Sequence, residues 1–194
     1  MTDTVHAGSV DEVRRLLPEI DQIGRPQLRR AVAEVWATAW RSSGWRELGE
    51  VPKSPELPTR RTLVTHTRAV TRIAAAIVDV ESATHEVAID KDSTLAIALL
   101  HDVSKLHEFD SGSAEATVGY SRPGRLYQHG FLGAHWALEA GLDEGIVHGI
   151  IAHTPLSATV PQTQEAVIVH YADFVDSDVQ LLDAGRTLFC KRRS

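Results

Sequence analysis

The chain has 194 residues, of which 43% are hydrophobic and 24% charged, and its formal net charge is −6. This is the composition of a globular protein long enough to bury a core, and the acidic balance excludes a basic surface for nucleic-acid polymers or anionic membranes. The sequence contains no apolar run near the roughly 20 residues that a membrane span needs. Its single cysteine, Cys190, excludes an internal disulfide framework and predicts a cytoplasmic location.

The apolar residues recur with the period of helices rather than of strands, so the sequence predicts an all-α fold. In the segment 25–45, for example, one apolar stripe is formed by Leu28, Val32, Val35 and Ala39. Gly44 is expected to end this helix. The predicted helices cover residues 25–45, 61–80, 91–103, 129–141, 142–154 and 163–185. The glycine-containing stretch 104–128 is predicted to be a long loop, and loops of this length are usually functional or disordered.

These elements predict a division of the chain into four parts. Residues 1–50 are N-terminal helices that pack on the core, and residues 51–60, with three prolines, are a linker. Residues 61–185 form the main helical domain. Residues 186–194 are a C-terminal tail, expected to be frayed.

One short stretch, "LLHDVSK" (Leu99–Lys105), raises a question about burial. Its histidine and aspartate stand at the end of the apolar run "TLAIALL", which describes a helix buried on all sides. A carboxylate at the end of such a helix is costly unless it is paired or binds a metal ion. His101 and Asp102 therefore need partners from elsewhere in the chain.

Six residues on predicted helices or helix ends supply a metal-binding pattern. In chain order they are His66, His101, Asp102, His129, His153 and Asp173. Several share a helix face with apolar residues and so point inward, as His153 does with Ile150 and Asp173 with Val169. Imidazole and carboxylate ligands without thiolate favour divalent ions such as iron, manganese or zinc.

The order H…HD…H…H…D and its surroundings resemble the HD superfamily of metal-dependent hydrolases. "HTRAVTRIA" is similar to the helix of the family's first histidine, and "LLHDVSK" to its HD-x-G-K motif, with Ser104 in place of glycine. "HGFLGAHWALEAGLDEGIVHGIIAH" resembles the segment of the second metal, and "IVHYADFVDSD" the closing aspartate helix. The resemblance implies an HD-domain helical bundle around a metal site.

It also implies roles for individual residues. His66, His101, Asp102 and Asp173 would hold a first ion, and Asp102 would bridge to a second ion held by His129 and His153. The cofactors would be two divalent ions, iron or manganese first, with zinc, nickel, cobalt or magnesium as further candidates. Asp102 and Lys105 are the expected catalytic residues, with the Lys105 ammonium beside the substrate.

Three further residues of the predicted loop are candidates near the substrate. Arg122 and Arg125 would clamp an anionic group as a lid closes, although exposed loop charges are the commoner case. His107 follows the HD pair into the loop and is a candidate to face the site.

The resemblance implies a phosphohydrolase that cleaves a small phosphorylated metabolite or nucleotide with a metal-activated hydroxide. One alternative is a mixed-valent diiron oxygenase that resembles myo-inositol oxygenase or the phosphonate-cleaving oxygenases, because the same ligand set serves both. A second alternative is a non-catalytic module that binds metal or nucleotide. The expected partner is a small anionic molecule, and a homodimer is a further possibility because the tryptophan-bearing N-terminal helices could pack on a second copy.

Overall fold

The structure is a computed structural model, and it describes residues 8–55, 61–110 and 118–191. These residues form α-helices with short 3₁₀ turns and two isolated β-bridges, which confirms the predicted all-α class. The helices are α1 (Val10–Leu16), α2 (Pro26–Arg41), α3 (Leu63–His85), α4 (Lys91–Leu100), α5 (Lys105–Glu108), α6 (Arg122–Leu126), α7 (Phe131–Glu139), α8 (Glu144–Ala152) and α9 (Gln164–Asp183). Among the helices described, none is both long and apolar enough to cross a membrane.

Helix α4 lies at the centre of the bundle, as its apolar sequence predicts. Every residue from Thr94 to Leu100 is buried, and the helix packs against α2, α3, α8 and α9. Its N-cap is Asp90, whose carboxylate accepts the backbone N–H of Ser93. Because α4 is enclosed, the residues that follow its last turn, His101 and Asp102, lie in the interior of the protein.

Close helix contacts hold the C-terminal half of α4 in place. On α8, a Cβ added at Gly149 would lie 2.5 Å from the Ile97 side chain, so only glycine lets the two helices approach this closely. On α2, the Trp36 indole donates a 2.8 Å hydrogen bond to the carbonyl of Leu99. This bond satisfies a carbonyl in the last turn of α4 and fixes the point where His101 and Asp102 begin.

The segment predicted to be a linker is packed where the structure describes it. Val51 and Lys53 are buried, and the Val51 carbonyl accepts the backbone N–H of Leu63 at the start of α3. Residues 56–60 lie outside the described residues. The three prolines predicted a linker, but they carried no information about the helices on which this segment packs.

Two other segments are more ordered than the sequence indicated. The predicted loop 104–128 contains α5 and α6, and an isolated β-bridge joins Phe109 to Tyr120; residues 111–117 lie outside the described residues. Near the C-terminus, the backbone N–H of Phe189 donates to the Asp178 carboxylate at 2.6 Å. This bond holds the segment that was expected to be a frayed tail against α9. Residues 192–194 lie outside the described residues.

Candidate metal centre

The structure brings all six predicted metal ligands into one group. His66 comes from the first turns of α3, His101 and Asp102 follow α4, His129 precedes α7, His153 follows α8 and Asp173 lies on α9. Five of the six are buried, and His129 is half-buried. Segments from opposite ends of the chain thus converge on the end of α4.

The carboxylate of Asp102 lies between two sets of histidines. Its Oδ2 atom is 3.1 Å from His66 Nε2 and 3.3 Å from His101 Nε2. Its Oδ1 atom is 3.0 Å from His129 Nε2 and 3.8 Å from His153 Nε2. Each oxygen of Asp102 therefore serves a different pair of imidazoles, which is the arrangement of a bridging carboxylate.

We name the two sets the first cluster and the second cluster. The first cluster is His66, His101 and Asp173 with Oδ2 of Asp102; the Asp173 carboxylate is 3.2 Å from His66 Nε2. The second cluster is His129 and His153 with Oδ1 of Asp102, and their Nε2 atoms are 3.2 Å apart.

The spacing of these atoms suits divalent ions. Metal–ligand bonds from histidine and carboxylate are about 2.1 Å long, so two ligand atoms at right angles on one ion are about 3 Å apart. Ligand atoms of His66, His101 and Asp173 all lie within 4.8 Å of one another, as do those of His101, Asp102 and His153. The donor set is imidazole and carboxylate throughout, so the residues fit the expected ions.

Two of the histidines are oriented by backbone carbonyls of their own helix ends. His101 Nδ1 is 2.7 Å from the Ala98 carbonyl, and His153 Nδ1 is 2.7 Å from the Ile150 carbonyl. Because a carbonyl oxygen can only accept, Nδ1 carries the proton in each ring. That tautomer leaves Nε2, on the side of Asp102, without a proton and able to bind a metal ion.

The other two histidines are oriented by carboxylates. His66 Nδ1 is 2.7 Å from Asp176 Oδ2, and His129 Nδ1 is 2.8 Å from Glu108 Oε2. Carboxylate partners fix the ring and raise its basicity toward a metal ion. Each cluster thus has one histidine held by a carboxylate and one held by a carbonyl.

A glycine allows His129 to reach the site. Gly130 has φ +85°, and a Cβ there would lie 3.0 Å from the Ile150 carbonyl, so a larger residue would be both strained and crowded. Its backbone N–H also contacts Glu108 Oε1 at 3.4 Å. The turn into α7 and the orientation of His129 therefore depend on the same carboxylate.

The charges of the group are strongly coupled. Burial lowers the pKa of His66, but hydrogen bonds to Asp102, Asp173 and Asp176 outweigh it and raise the pKa to about 9. Burial likewise opposes protonation of His129, but Asp102 and Glu108 raise its pKa to about 9. Burial and the neighbouring histidines lower the pKa of His153 to about 3.

The carboxylates of the group are held ionised. Burial opposes ionisation of Asp102, but Lys105 and His101 keep the pKa of its carboxyl well below the usual range. For Asp173, the hydrogen bond and charge of His66 likewise outweigh burial and lower the pKa. The site therefore presents the anionic oxygens and basic nitrogens that a divalent ion requires.

Comparison with known proteins places this architecture in a family. Residues 63–178 match the HD domain. The chain belongs to the HD domain family. This confirms the family resemblance of the sequence, and it covers all six residues of the two clusters.

A curated relative of the HD domain has a named activity. The dihydroneopterin 2′,3′-cyclic phosphate phosphodiesterase of Methanocaldococcus jannaschii is 31% identical to this chain over 126 residues. The match covers 60% of this chain and 47% of the relative, so the chain spans about half the length of that protein. A search of solved structures gave no significant match.

Beside the two clusters, the HD domain has a cavity of about 560 Å³. Asp102, His129 and Asp173 line it on the metal side, together with the ammonium-bearing side chains of Lys53 and Lys105. A second set of lining residues is apolar or aromatic: Phe109, Tyr120, Leu156, Leu181 and Phe189. The cavity lining thus combines candidate metal ligands and two lysines with apolar and aromatic side chains on which a planar group can stack.

The predicted substrate residues differ in where they lie. Lys105 lines the cavity, and its Nζ donates a 2.6 Å hydrogen bond to Asp102 Oδ2. Arg122 and Arg125 are exposed on α6, and a guanidinium nitrogen of Arg125 donates to the Tyr120 carbonyl. In this conformation only Gly124, between them, lines the cavity.

His107 does not face the site. Its Nε2 lies 3.0 Å from the Ala39 carbonyl and 3.2 Å from Ser42 Oγ, and its ring packs on Trp136. The side chain therefore connects α5 to α2. His107 lies two residues, or about half a helical turn, after Lys105 on α5. Its side chain therefore points away from the metal centre.

Four residues near the site were missed by sequence reasoning. Asp176 and Glu108 hold His66 and His129, while Lys53 donates a 2.6 Å hydrogen bond to Ser177 Oγ, which in turn contacts Asp173. Asp176 is three residues after Asp173 on one helix, a spacing that places them on neighbouring positions of one face and could have marked it. Lys53 had no such signal, because its proline-rich segment lies 124 residues from Ser177.

Proposed function

We propose that this HD domain is a metal-dependent phosphohydrolase that hydrolyses a small phosphorylated metabolite or nucleotide. The observation that carries the proposal is that the two carboxylate oxygens of Asp102 are divided between two separate histidine pairs. A binding site for one ion needs no such division. A bridging carboxylate is the usual means of holding two ions close together for phosphoryl chemistry.

The ligands of the proposed ions follow from the two clusters. His66, His101, Asp173 and Asp102 Oδ2 would hold one ion, and His129, His153 and Asp102 Oδ1 would hold the other. When bound, the two ions supply an activated water and neutralise charge on the phosphoryl group. The role of the four histidines is to present Nε2, since each Nδ1 is occupied by its carbonyl or carboxylate partner.

Two lysines support an anionic substrate. Lys105 lies beside Asp102, where its ammonium would contact a phosphate oxygen bound next to that carboxylate. Lys53 is buried against Ser177, and Asp176 lies 3.8 Å from its Nζ. Both side chains line the cavity, so positive charge is available on the same side as the metal ligands.

The substrate class follows from the cavity and from the relative. A phosphate at the metal end would leave the rest of a small molecule against the aromatic wall, which favours a phosphate ester with a planar ring. The relative acts, by its name, on a 2′,3′-cyclic phosphate, so cyclic phosphate diesters come first among the compounds to test. The cytoplasmic location and the homodimer stay predictions.

Metal content and turnover test this proposal together. The protein is purified without added metal and without oxygen, analysed for metals, stripped with a chelator and reloaded with iron, manganese, zinc, nickel, cobalt or magnesium in turn. We expect two ions per chain and hydrolysis of at least one compound from a panel of cyclic nucleotides, nucleoside monophosphates and dinucleoside polyphosphates. Oxygen consumption with a mixed-valent iron signal, and no hydrolysis of any compound of the panel, would instead identify an oxygenase.

The proposed role of Lys105 has its own test. Replacing the ammonium in Lys105→Ala should lower kcat/KM by about 10- to 100-fold, the value of a charge-assisted hydrogen bond, with both metal ions retained. Lys91→Ala is the matched control, because Lys91 is a partly exposed lysine that pairs with Asp79 away from the cavity. Equal kcat/KM values for the two variants would show that Lys105 does not contribute to binding the substrate.

A further inference from the structure

Gln180 is an unusual residue in the wall of the cavity. Its side chain is only 6% exposed, and both amide atoms are buried without a hydrogen-bond partner among the residues that the structure describes. A buried amide without partners is costly, because it has given up its bonds to water and received none in return.

The position of Gln180 relates it to the metal centre. Asp173, Ser177 and Gln180 follow one another along one face of α9, and all three line the cavity. Seven residues of helix separate Gln180 from the metal ligand Asp173, or about 10 Å along the axis. This is the scale of a molecule in which a phosphate and a ring are joined by a sugar or a short linker.

The surroundings of Gln180 suit a flat ring. Leu181 and the C-terminal residues Arg186, Thr187 and Phe189 line the same cavity, and the Phe189 ring packs on Phe174 of α9. Hydrogen bonds hold this segment in place, from the backbone N–H of Arg186 to the Leu181 carbonyl and from Phe189 to Asp178. The part of the lining formed by the end of α9 and the residues after it therefore combines an aromatic side chain with one unpaired amide.

We propose that Gln180 is a specificity-determining residue that binds the polar edge of the substrate's ring. A carboxamide offers a donor and an acceptor side by side, so it pairs with a ring that carries an adjacent acceptor and donor, as a nucleobase or a pterin does. The inference rests on the proposed phosphohydrolase function and narrows its substrate to phosphate esters of such heterocycles. A ring without polar atoms would leave the amide unpaired and bind less well.

Selectivity between two kinds of ester tests the inference. For metal-loaded protein, kcat/KM is measured for phenyl phosphate and for the 5′-monophosphates and 2′,3′-cyclic monophosphates of adenosine, guanosine, cytidine and uridine. We expect the kcat/KM of the preferred nucleotide to exceed that of phenyl phosphate. Gln180→Met should reduce the ratio of these two kcat/KM values by about 10- to 100-fold, the value of a bidentate amide contact. Methionine has a side chain of similar length in which a thioether, with no donor and only a weak acceptor, replaces the carboxamide.

Two controls separate recognition from structure. Gln164→Met changes an exposed glutamine at the start of the same helix and should leave the ratio as in the wild type. The Tm of Gln180→Met should be unchanged or higher, because an unpaired buried amide is replaced by an apolar group. A lower Tm together with an unchanged ratio would identify Gln180 as a structural residue and overturn the inference.

The outcomes distinguish this inference from the proposed function. Hydrolysis with a ratio that Gln180→Met does not change would overturn the inference and leave the phosphohydrolase standing. If none of these esters is hydrolysed, the proposed function fails for them, and calorimetric binding of the nucleoside monophosphates decides the inference. Loss of nucleotide affinity in Gln180→Met would then support it, and a wild type that binds no nucleotide more tightly than phenyl phosphate would overturn it.

Discussion

The two clusters of the metal centre are built on different kinds of support. The first cluster takes His66 and Asp173 from the long helices α3 and α9, which both pack on the central α4. The second takes His129 from a turn before α7, and the carboxylate that orients this ring comes from the four-residue helix α5. The His66 side chain is fully buried, whereas that of His129 is 15% exposed.

The carboxylates behind the two clusters differ in the same way. Asp176, behind His66, is 2.7 Å from an Arg61 guanidinium nitrogen and 3.8 Å from the Lys53 ammonium. Glu108, behind His129, is supported by the Gly130 backbone N–H in the turn itself. We therefore expect the first cluster to be the more rigid one and to bind its ion more tightly, because less conformational freedom is lost on binding.

The largest expected effect comes from the residue that the two clusters share. Asp102→Ala removes an oxygen from both, so we expect loss of most bound metal and of all metal-dependent hydrolysis. Metal analysis of the purified variant measures the first effect, and hydrolysis of the best substrate of the panel measures the second. Circular dichroism checks that the helices remain, and retention of two ions per chain would contradict the bridging role.

A smaller effect is expected from the second cluster alone. His129→Ala should reduce the stoichiometry from two ions to one, since no ligand of the first cluster is touched. His135→Ala is the matched control, because His135 is an exposed histidine of the neighbouring helix α7 that lies near Glu139. Two ions retained in His129→Ala would show that His129 is not a necessary ligand of the second ion.

The orienting carboxylates allow a finer comparison of the clusters. Glu108→Gln should weaken binding of the second ion, and Asp176→Asn should weaken binding of the first ion. Each affinity should fall by about 10- to 100-fold, the usual effect of removing a metal ligand's partner. Chelator competition measures both affinities in each variant. If both variants weakened the same ion, the division of the site into two clusters would be incorrect.

The smallest effect is a gradual dependence on pH in the metal-free protein. Folding raises the pKa of His66 and of His129 from an ordinary value of 6.5 to about 9. The stability that they contribute is complete below pH 6.5 and is lost as the pH rises toward 9. Metal ions compete with these protons, so metal affinity should rise over the same interval.

Thermal unfolding with and without chelator measures this dependence. We expect the Tm of the metal-free protein to fall between pH 6.5 and 9, while the increase in Tm on adding metal grows. A metal-free Tm that rises over this interval would show that these histidines do not hold their protons.

Local sequence patterns were sufficient for the parts of the site that depend on one helix. The apolar run before His101 predicted the burial of α4, and the apolar neighbours of His153 and Asp173 predicted that both face inward. The same reasoning did not exclude an inward-facing His107, which instead contacts Ala39 on α2 and Ser42 directly after that helix. Periodicity describes a long helix well, but it describes a four-residue helix such as α5 poorly.

The sequence by itself determined the all-α class, the family and the six residues that converge, because each of these follows from helix periodicity or from the order of motifs. Only the tertiary structure decided which oxygen of Asp102 faces which histidines, and that Lys53 and Phe189 line the cavity from segments expected to be a linker and a tail. The physical reason is distance along the chain. The contacts between His66 and Asp176 and between Lys53 and Ser177 span 110 and 124 residues, and no local pattern encodes which face of one helix meets which face of another.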